Sequence, residues 1–278
     1  MRGIFSAGVL KSFEDFGLYD RIHSIYAVSV GGCTGARFLV RQSELGGKTF
    51  YTKFNDSRFI RSNFLRYFFQ VLRWGKSSDA HVKSIFDFAY FRDVILFSED
   101  KIDLKKAEAS PIPLYVKVFN VGVQAHQYLR VEGSQAYHLI QASASMTPLT
   151  TQRIIIDGQE FFDGDSIPSD IDNDIVRNNP DKLIIRIESS KNSVFEDFNF
   201  FVLCIVYILL RRIYGSCTSN LYFRNFFKRP VWRRDLKNYS NVISIENDIS
   251  LSAFCKDTEL LKLTYNRGVE KGVVYCTA

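Results

Sequence analysis

Between residues 4 and 16 the apolar side chains Phe5, Val9, Leu10, Phe13 and Phe16 recur at helical spacing, with Lys11, Glu14 and Asp15 on the opposite side. The pattern predicts an amphipathic helix that packs on a sheet and is closed by Gly17. A short β-branched and aromatic run from Ile25 stops at Ser29, and a second helix is expected from near Gly32 through Ala36 to Val40. From Arg61 to Trp74 the polar residues Asn63, Arg66, Gln70 and Arg73 form one narrow stripe on an otherwise apolar helix. Such a helix is either core or a lid over an apolar channel. Strands are expected over 113–123 and 127–131, then a helix over 137–148. Next comes a hairpin about Asp157-Gly158 joining 154–156 to 160–162, and a strand over 182–187 that ends the sheet. Past residue 190 the character changes to an apolar run over 200–210, a basic and aromatic stretch, a strand over 242–245, and a helix from 257 to 272 capped by Asp257 or Thr258.

Helix, strand, tight small-residue turn and helix is the rhythm of a parallel α/β sheet. The chain opens on the helix, where a strand is the usual start. The expected organisation is an α/β domain over 1–190, with a mostly parallel sheet lacking its first strand, followed by a helical, basic-aromatic appendage over 191–278.

With 278 residues, 46% of them hydrophobic, the chain can bury a substantial core. Its 25 phenylalanines exceed what a core needs, so some are expected to meet lipid, an acyl chain or a partner. The net charge of +6 is concentrated. Between Arg211 and Ser240 eight Lys and Arg stand against Asp235 alone, a net +7 interleaved with Tyr214, Tyr222, Phe223, Phe226, Phe227, Trp232 and Tyr239. That mixture suits anionic lipid headgroups; nucleic acid ranks last as a partner because no nucleic-acid motif accompanies it, and a solvated basic face is the plain alternative. The five cysteines are odd in number and lack metal-ligand spacing, so neither a disulfide framework nor a metal or other cofactor is expected. The start carries no secretory pattern, which makes cytoplasm the default address, and the apolar run over 200–210 is too short to span a bilayer.

The candidate chemistry centres on Ser29. In Ala27-Val28-Ser29-Val30-Gly31 a serine sits where a strand turns sharply into a helix, with small residues around it. A hydroxyl on such a turn stands above the sheet edge, and the N–H groups at the start of the next helix favour an anion formed there. The first glycine of a G-x-S-x-G elbow is Ala27 here, so the motif is one residue short. Asp163, ahead of Gly164 at the end of a predicted strand, is the candidate partner. Ser143 and Ser145 lack an elbow and are assigned to packing. The histidines are His23, His81, His126 and His138, so none follows Asp163 and a Ser, acid, His order cannot be completed with it.

Four landmarks in order, Met-Arg-Gly-Ile-Phe-Ser-Ala-Gly-Val-Leu, Ala-Val-Ser-Val-Gly-Gly, Ala-Ser-Ala-Ser-Met-Thr-Pro and Phe-Phe-Asp-Gly-Asp-Ser-Ile-Pro, resemble the patatin-like phospholipase family, in particular its bacterial branch with a C-terminal appendage. The resemblance implies a three-layer α/β/α fold and a Ser29–Asp163 dyad that cleaves acyl esters of lipids. It also implies an oxyanion-binding elbow at Arg2, Gly3, Val30 and Gly31. The family's glycine-rich run lies ahead of the Met-Arg-Gly equivalent, which makes the chain an expected N-terminal truncation. A catalytically impaired lipid- or membrane-binding member is the alternative. A second departure is Asp165, where the family has a second glycine.

Overall fold

The alternation of apolar positions around Val116 becomes the middle of the sheet. A computed structural model describes residues 1–61, 63–77, 81–189, 200–228, 235–236 and 238–277. In chain order the helices and strands are α1 (Ile4–Asp15), β1 (Ile25–Val28), α2 (Gly31–Leu39), α3 (Ser43–Thr49), α4 (Phe64–Trp74), α5 (Phe88–Arg92), α6 (Leu104–Glu108), β2 (Leu114–Asn120), β3 (Ala125–Arg130), α7 (Ala136–Ala144), β4 (Ile154–Ile156), β5 (Gln159–Asp163), α8 (Ile171–Arg177), β6 (Ile184–Glu188), α9 (Phe200–Tyr214), α10 (Ser216–Phe226), β7 (Val242–Glu246) and α11 (Thr258–Thr277). The fold is α/β, with helices covering both faces of the sheet, as the landmarks led us to expect.

β1 pairs with β2 and β6 with β7 in parallel across helical connections, whereas β2–β3 and β4–β5, each joined by a turn, pair antiparallel, as do β2 and β5. The arrangement about β2 positions everything else. β3 occupies one edge of β2 over 115–120, and the other edge is divided between two strands. β1 lies parallel against Leu114 to Lys117, and β5 lies antiparallel against Val118 to Asn120. The two strands therefore run at one another and end on neighbouring residues, Val28 opposite Lys117 and Asp163 opposite Val118.

The two faces of β2 differ, as period-two alternation requires. Leu114, Val116 and Val118 join the main apolar core with Ala36 of α2 and Ile140 of α7. On the other face Tyr115 stacks on Tyr26, Lys117 is buried among carboxylates, and Phe119 packs with Phe162 beneath Leu203, Val206 and Leu210 of α9. No helix among the described residues is long and apolar enough to cross a membrane.

Two expectations change. The strand near 182–187 does not extend the main sheet: β6 makes a separate two-stranded ladder with β7, because Val242 to Glu246 supplies it a full five-residue register. The last helix runs on to Thr277 past Gly272, which is not its stop. Asp257 caps its start, accepting from the Glu259 and Leu260 amides at 2.9 and 3.1 Å. Its mid-helix glycines serve the crossing with α1. A Cβ on Gly268 would collide with the Phe5 carbonyl, and one on Gly8 with the Tyr265 carbonyl. The two backbones touch there, and Ser12 adds a hydrogen bond to the Val269 carbonyl at 2.7 Å.

Gly268→Val is accordingly expected to force the α1–α11 crossing apart and to lower unfolding free energy by about 1–3 kcal/mol or more. Urea denaturation checks it; unchanged stability would mean that the crossing relaxes freely.

Candidate functional site

Ser29 comes directly after β1 and has φ 56°, a conformation that non-glycine residues avoid and that costs about 1–3 kcal/mol. Three contacts hold it there. Its own N–H donates to Ser143 Oγ at 2.9 Å, and Ser143 Oγ donates in turn to the Lys117 carbonyl at 2.9 Å. Its carbonyl accepts from the Gly32 amide at 3.1 Å, the first turn into α2. Gly32 must be small because a Cβ there would sit 3.0 Å from Val116. Ala27 fits: it is buried, and a Cβ added to Gly31 would meet it only at ordinary contact distance. The missing elbow glycine is thus tolerated.

Asp163 ends β5 facing the same junction, 1% exposed. Its N–H donates to the Ser145 carbonyl at 3.1 Å, and its Oδ1 accepts from the Asp165 amide at 2.8 Å. Gly164 lets the chain turn against β2, since a Cβ there would lie 2.5 Å from Lys117 Cγ and 2.9 Å from its carbonyl carbon. Burial, then the neighbouring Asp165 charge, push the Asp163 carboxyl up to about 7, while the Ser29 hydroxyl, the Asp165 amide and Lys117 pull it down. The hydroxyl is thus near enough to favour the ionised carboxyl. Asp163 Oδ2 nevertheless has no well-aligned hydrogen bond. Catalytic hydrogen bonds of this kind are often long before substrate binds and tighten in the complex.

Lys117 is the residue the sequence did not single out. It is 1% exposed, and its ammonium lies 3.2 Å from Asp165 and 3.0 Å from Asp172. Burial opposes its charge, but Asp172 and Asp165 outweigh burial and hold the pKa above the usual lysine value. Tyr128 also donates to Asp172, at 2.9 Å. The available signal was a lone lysine inside an apolar strand, which requires a buried counter-charge. Asp165 supplies part of it. Ser143, assigned to packing, is instead the hydrogen-bonded bracket of the Ser29 turn.

The other expected elbow residues lie at the same place. Val30 and Gly31 begin α2, where the first N–H groups of a helix lack intrahelical acceptors. Gly3 packs against them: a Cβ on it would meet Val30 Cγ1 at 2.5 Å. The Arg2 guanidinium turns to the Leu251 carbonyl at 2.9 Å. His126 is bound to the Ile167 carbonyl at 2.8 Å, and burial, with the nearby Lys117 charge, lowers it to about 4, so it is neutral at pH 7. Among the described residues no histidine hydrogen-bonds Ser29.

A family model described as patatin-like phospholipase matches residues 1–180. The chain belongs to the patatin-like phospholipase family. No curated protein matches it. Membership in the patatin-like phospholipase family supports lipid acyl hydrolase function and lipid substrates in general.

The raised Asp163 pKa has a consequence for stability. Below the ordinary carboxylate value of 3.8 the group is protonated whether folded or unfolded; as pH rises toward about 7 the unfolded chain ionises and the folded one resists. The stability that the neutral group contributes is lost across that window. Asp163→Asn, neutral throughout, is expected to exceed the parent in stability at pH 8 by up to about 4 kcal/mol and to lose that advantage toward pH 5. Urea denaturation at both pH values measures it, and an Asn variant weaker than the parent at pH 8 contradicts it.

Proposed function

We propose that the protein is a serine acyl-ester hydrolase in which Ser29 is the nucleophile and Asp163 its general base. The observation that carries this reading is the division of one β2 edge between β1 and β5, which brings a strained, half-buried serine up to a desolvated carboxyl whose pKa lies near neutrality.

In the first half-reaction Asp163 takes the hydroxyl proton as Ser29 Oγ attacks the acyl carbonyl carbon. The oxyanion forms over the start of α2, where the Val30 and Gly31 N–H groups and the helix dipole stabilise it. Collapse breaks the ester C–O bond, and the alcohol portion leaves with the proton from Asp163. Water then attacks the acyl-serine, giving its proton to Asp163, and the fatty acid departs as the Ser29 hydroxyl is restored. No histidine, metal or cofactor is needed in this sequence. The wide basic and aromatic stretch over 211–240 supports peripheral contact with an anionic membrane, although Arg229, Trp232, Arg233, Arg234 and Lys237 lie outside the described residues.

Hydrolysis of a short-chain p-nitrophenyl ester tests the dyad. Ser29→Ala and Asp163→Asn are each expected to lower kcat/KM by roughly a thousandfold or more. Full activity in either variant removes the assignment, and no turnover by the parent favours a member that binds lipid without cleaving it.

The pH profile adds a second check. With Asp163 as base, kcat/KM rises with pH through about 7. Asp165→Asn removes a neighbouring negative charge, leaves Lys117 paired with Asp172, and is expected to move that limb to lower pH. A limb that stays in place, or moves up, argues against Asp163 as the titrating base.

A further inference from the structure

α4 turns much of its apolar surface outward. Tyr67 and Val71 pack on Leu209 and Ile213 of α9, while Leu65 and Phe69, one turn apart, are 74% and 64% exposed. Exposed Arg66 and Arg73 flank them. α9 continues the surface with Ile208, Arg211 and Arg212 outward, and Arg212 donates to the Leu72 carbonyl at 2.7 Å, fixing α9 to the end of α4. α10 comes next with Phe223 and Phe227 beside Arg224 and Lys228, its Phe223 ring 5.9 Å from Tyr207 of α9. Residues 64–77 and 200–228 together contain seven Lys and Arg and no Asp or Glu, although the chain has 30 acidic residues.

The three helices also hold the candidate site. Tyr214 of α9 packs on Phe162, the residue before Asp163, with ring centroids 4.9 Å apart. Asn225 of α10 donates to the Pro168 carbonyl at 3.0 Å, just past Asp163, and the Tyr67 hydroxyl of α4 donates to the Pro148 carbonyl, in the loop after Ser143.

Cationic side chains among protruding aliphatic and aromatic ones match a bilayer interface, where phosphates and acyl chains lie within a few ångströms of each other. A nucleic acid would use the charges but give Leu65 and Ile208 nothing to bury against. We propose that the outward face of α4, α9 and α10 docks on an anionic phospholipid bilayer, with Leu65 and Phe69 entering the acyl region and Arg66, Arg73 and Arg211 at the headgroup phosphates. The benefit to hydrolysis rests on the acyl-hydrolase reading; the docking does not.

The test uses the full chain carrying Ser29→Ala, so that vesicles stay intact, in co-sedimentation with phosphatidylcholine vesicles and with vesicles also containing phosphatidylserine. Binding is expected to the mixed vesicles and to weaken with salt. Leu65→Ser with Phe69→Ser, and separately Arg66→Glu with Arg73→Glu, are each expected to weaken it by about tenfold or more. Lys105→Glu with Lys106→Glu on α6 is expected to leave it unchanged. Equal binding to both vesicle types, indifference to the α4 variants, or duplex DNA binding in place of vesicle binding overturns the proposal. With Ser29 intact, the α4 variants should turn over the soluble ester within about twofold of the parent, because they lie outside the dyad. An inactive parent defeats the hydrolase reading alone and leaves the vesicle result to stand or fall on its own.

Discussion

A strand edge can hydrogen-bond only one neighbour at each residue, and in this protein that limit brings the candidate site together. β2 offers its edge to β1 as far as Lys117 and to β5 from Val118, so the two strands must stop where they meet. The end of each strand inherits that closeness: Ser29 just past β1 on one side, Asp163 closing β5 on the other. The junction is pinned from β2 itself. Ser143 bridges the Lys117 carbonyl to the Ser29 N–H, and Gly164 permits the backbone after Asp163 to lie against Lys117. Slipping β2 by one residue would exchange its faces, drive Lys117 into the apolar core and part the serine from the carboxyl.

The same residue balances the local charge. An ammonium as deeply buried as Lys117 is tolerated only with partners, and removal of a partner from a buried pair costs about 3–5 kcal/mol. Lys117 has two carboxylates, Asp165 and Asp172, so the cluster beside Asp163 is not positive overall. His126 adds no charge at neutral pH because burial and Lys117 keep it deprotonated. A cation alone beside Asp163 would draw its pKa far down and leave a weak base. A second carboxylate within the cluster prevents this, and Asp165 is held there by its ion pair with Lys117.

The elements with strong periodicity were legible from the chain: α1, the β1–Ser29–α2 turn, the β4–β5 hairpin and the capped start of α11 arise from local spacing and turn chemistry. Ser29 and Asp163 were legible as candidates because each stands at a strand end, with Gly31 two residues past the serine and Gly164 directly after the aspartate. Their meeting depends on β1 and β5, far apart in the chain, each pairing with the same edge of β2, which local pattern does not encode. Gly272 reads as the end of the last helix for a related reason. A glycine in a helical pattern signals a stop or a close crossing, and only the position of α1 decides between them. Lys117 was not singled out, and Ser143 was assigned to packing, because their roles lie in hydrogen bonds and ion pairs across strands. For α4 the narrow polar stripe pointed to core or lid, yet packing on α9 covers only part of its apolar surface.

That outward turn becomes intelligible once α9 is considered from both sides. Its inner residues Leu203, Val206 and Leu210 cover Phe119 and Phe162 and so brace the strand that ends in Asp163, while its outer stripe carries Ile208, Arg211 and Arg212. Fifteen helical residues reach about 22 Å, short of the roughly 30 Å hydrocarbon core, so α9 suits a position along an interface. A helix that stiffens the site with one face and, on the proposed docking surface, meets headgroups with the other removes the need for a separate anchor. Substrate lipid would then have to travel only from the bilayer surface to the end of β5, past side chains that α4, α9 and α10 already hold against the 146–151 and 164–168 loops.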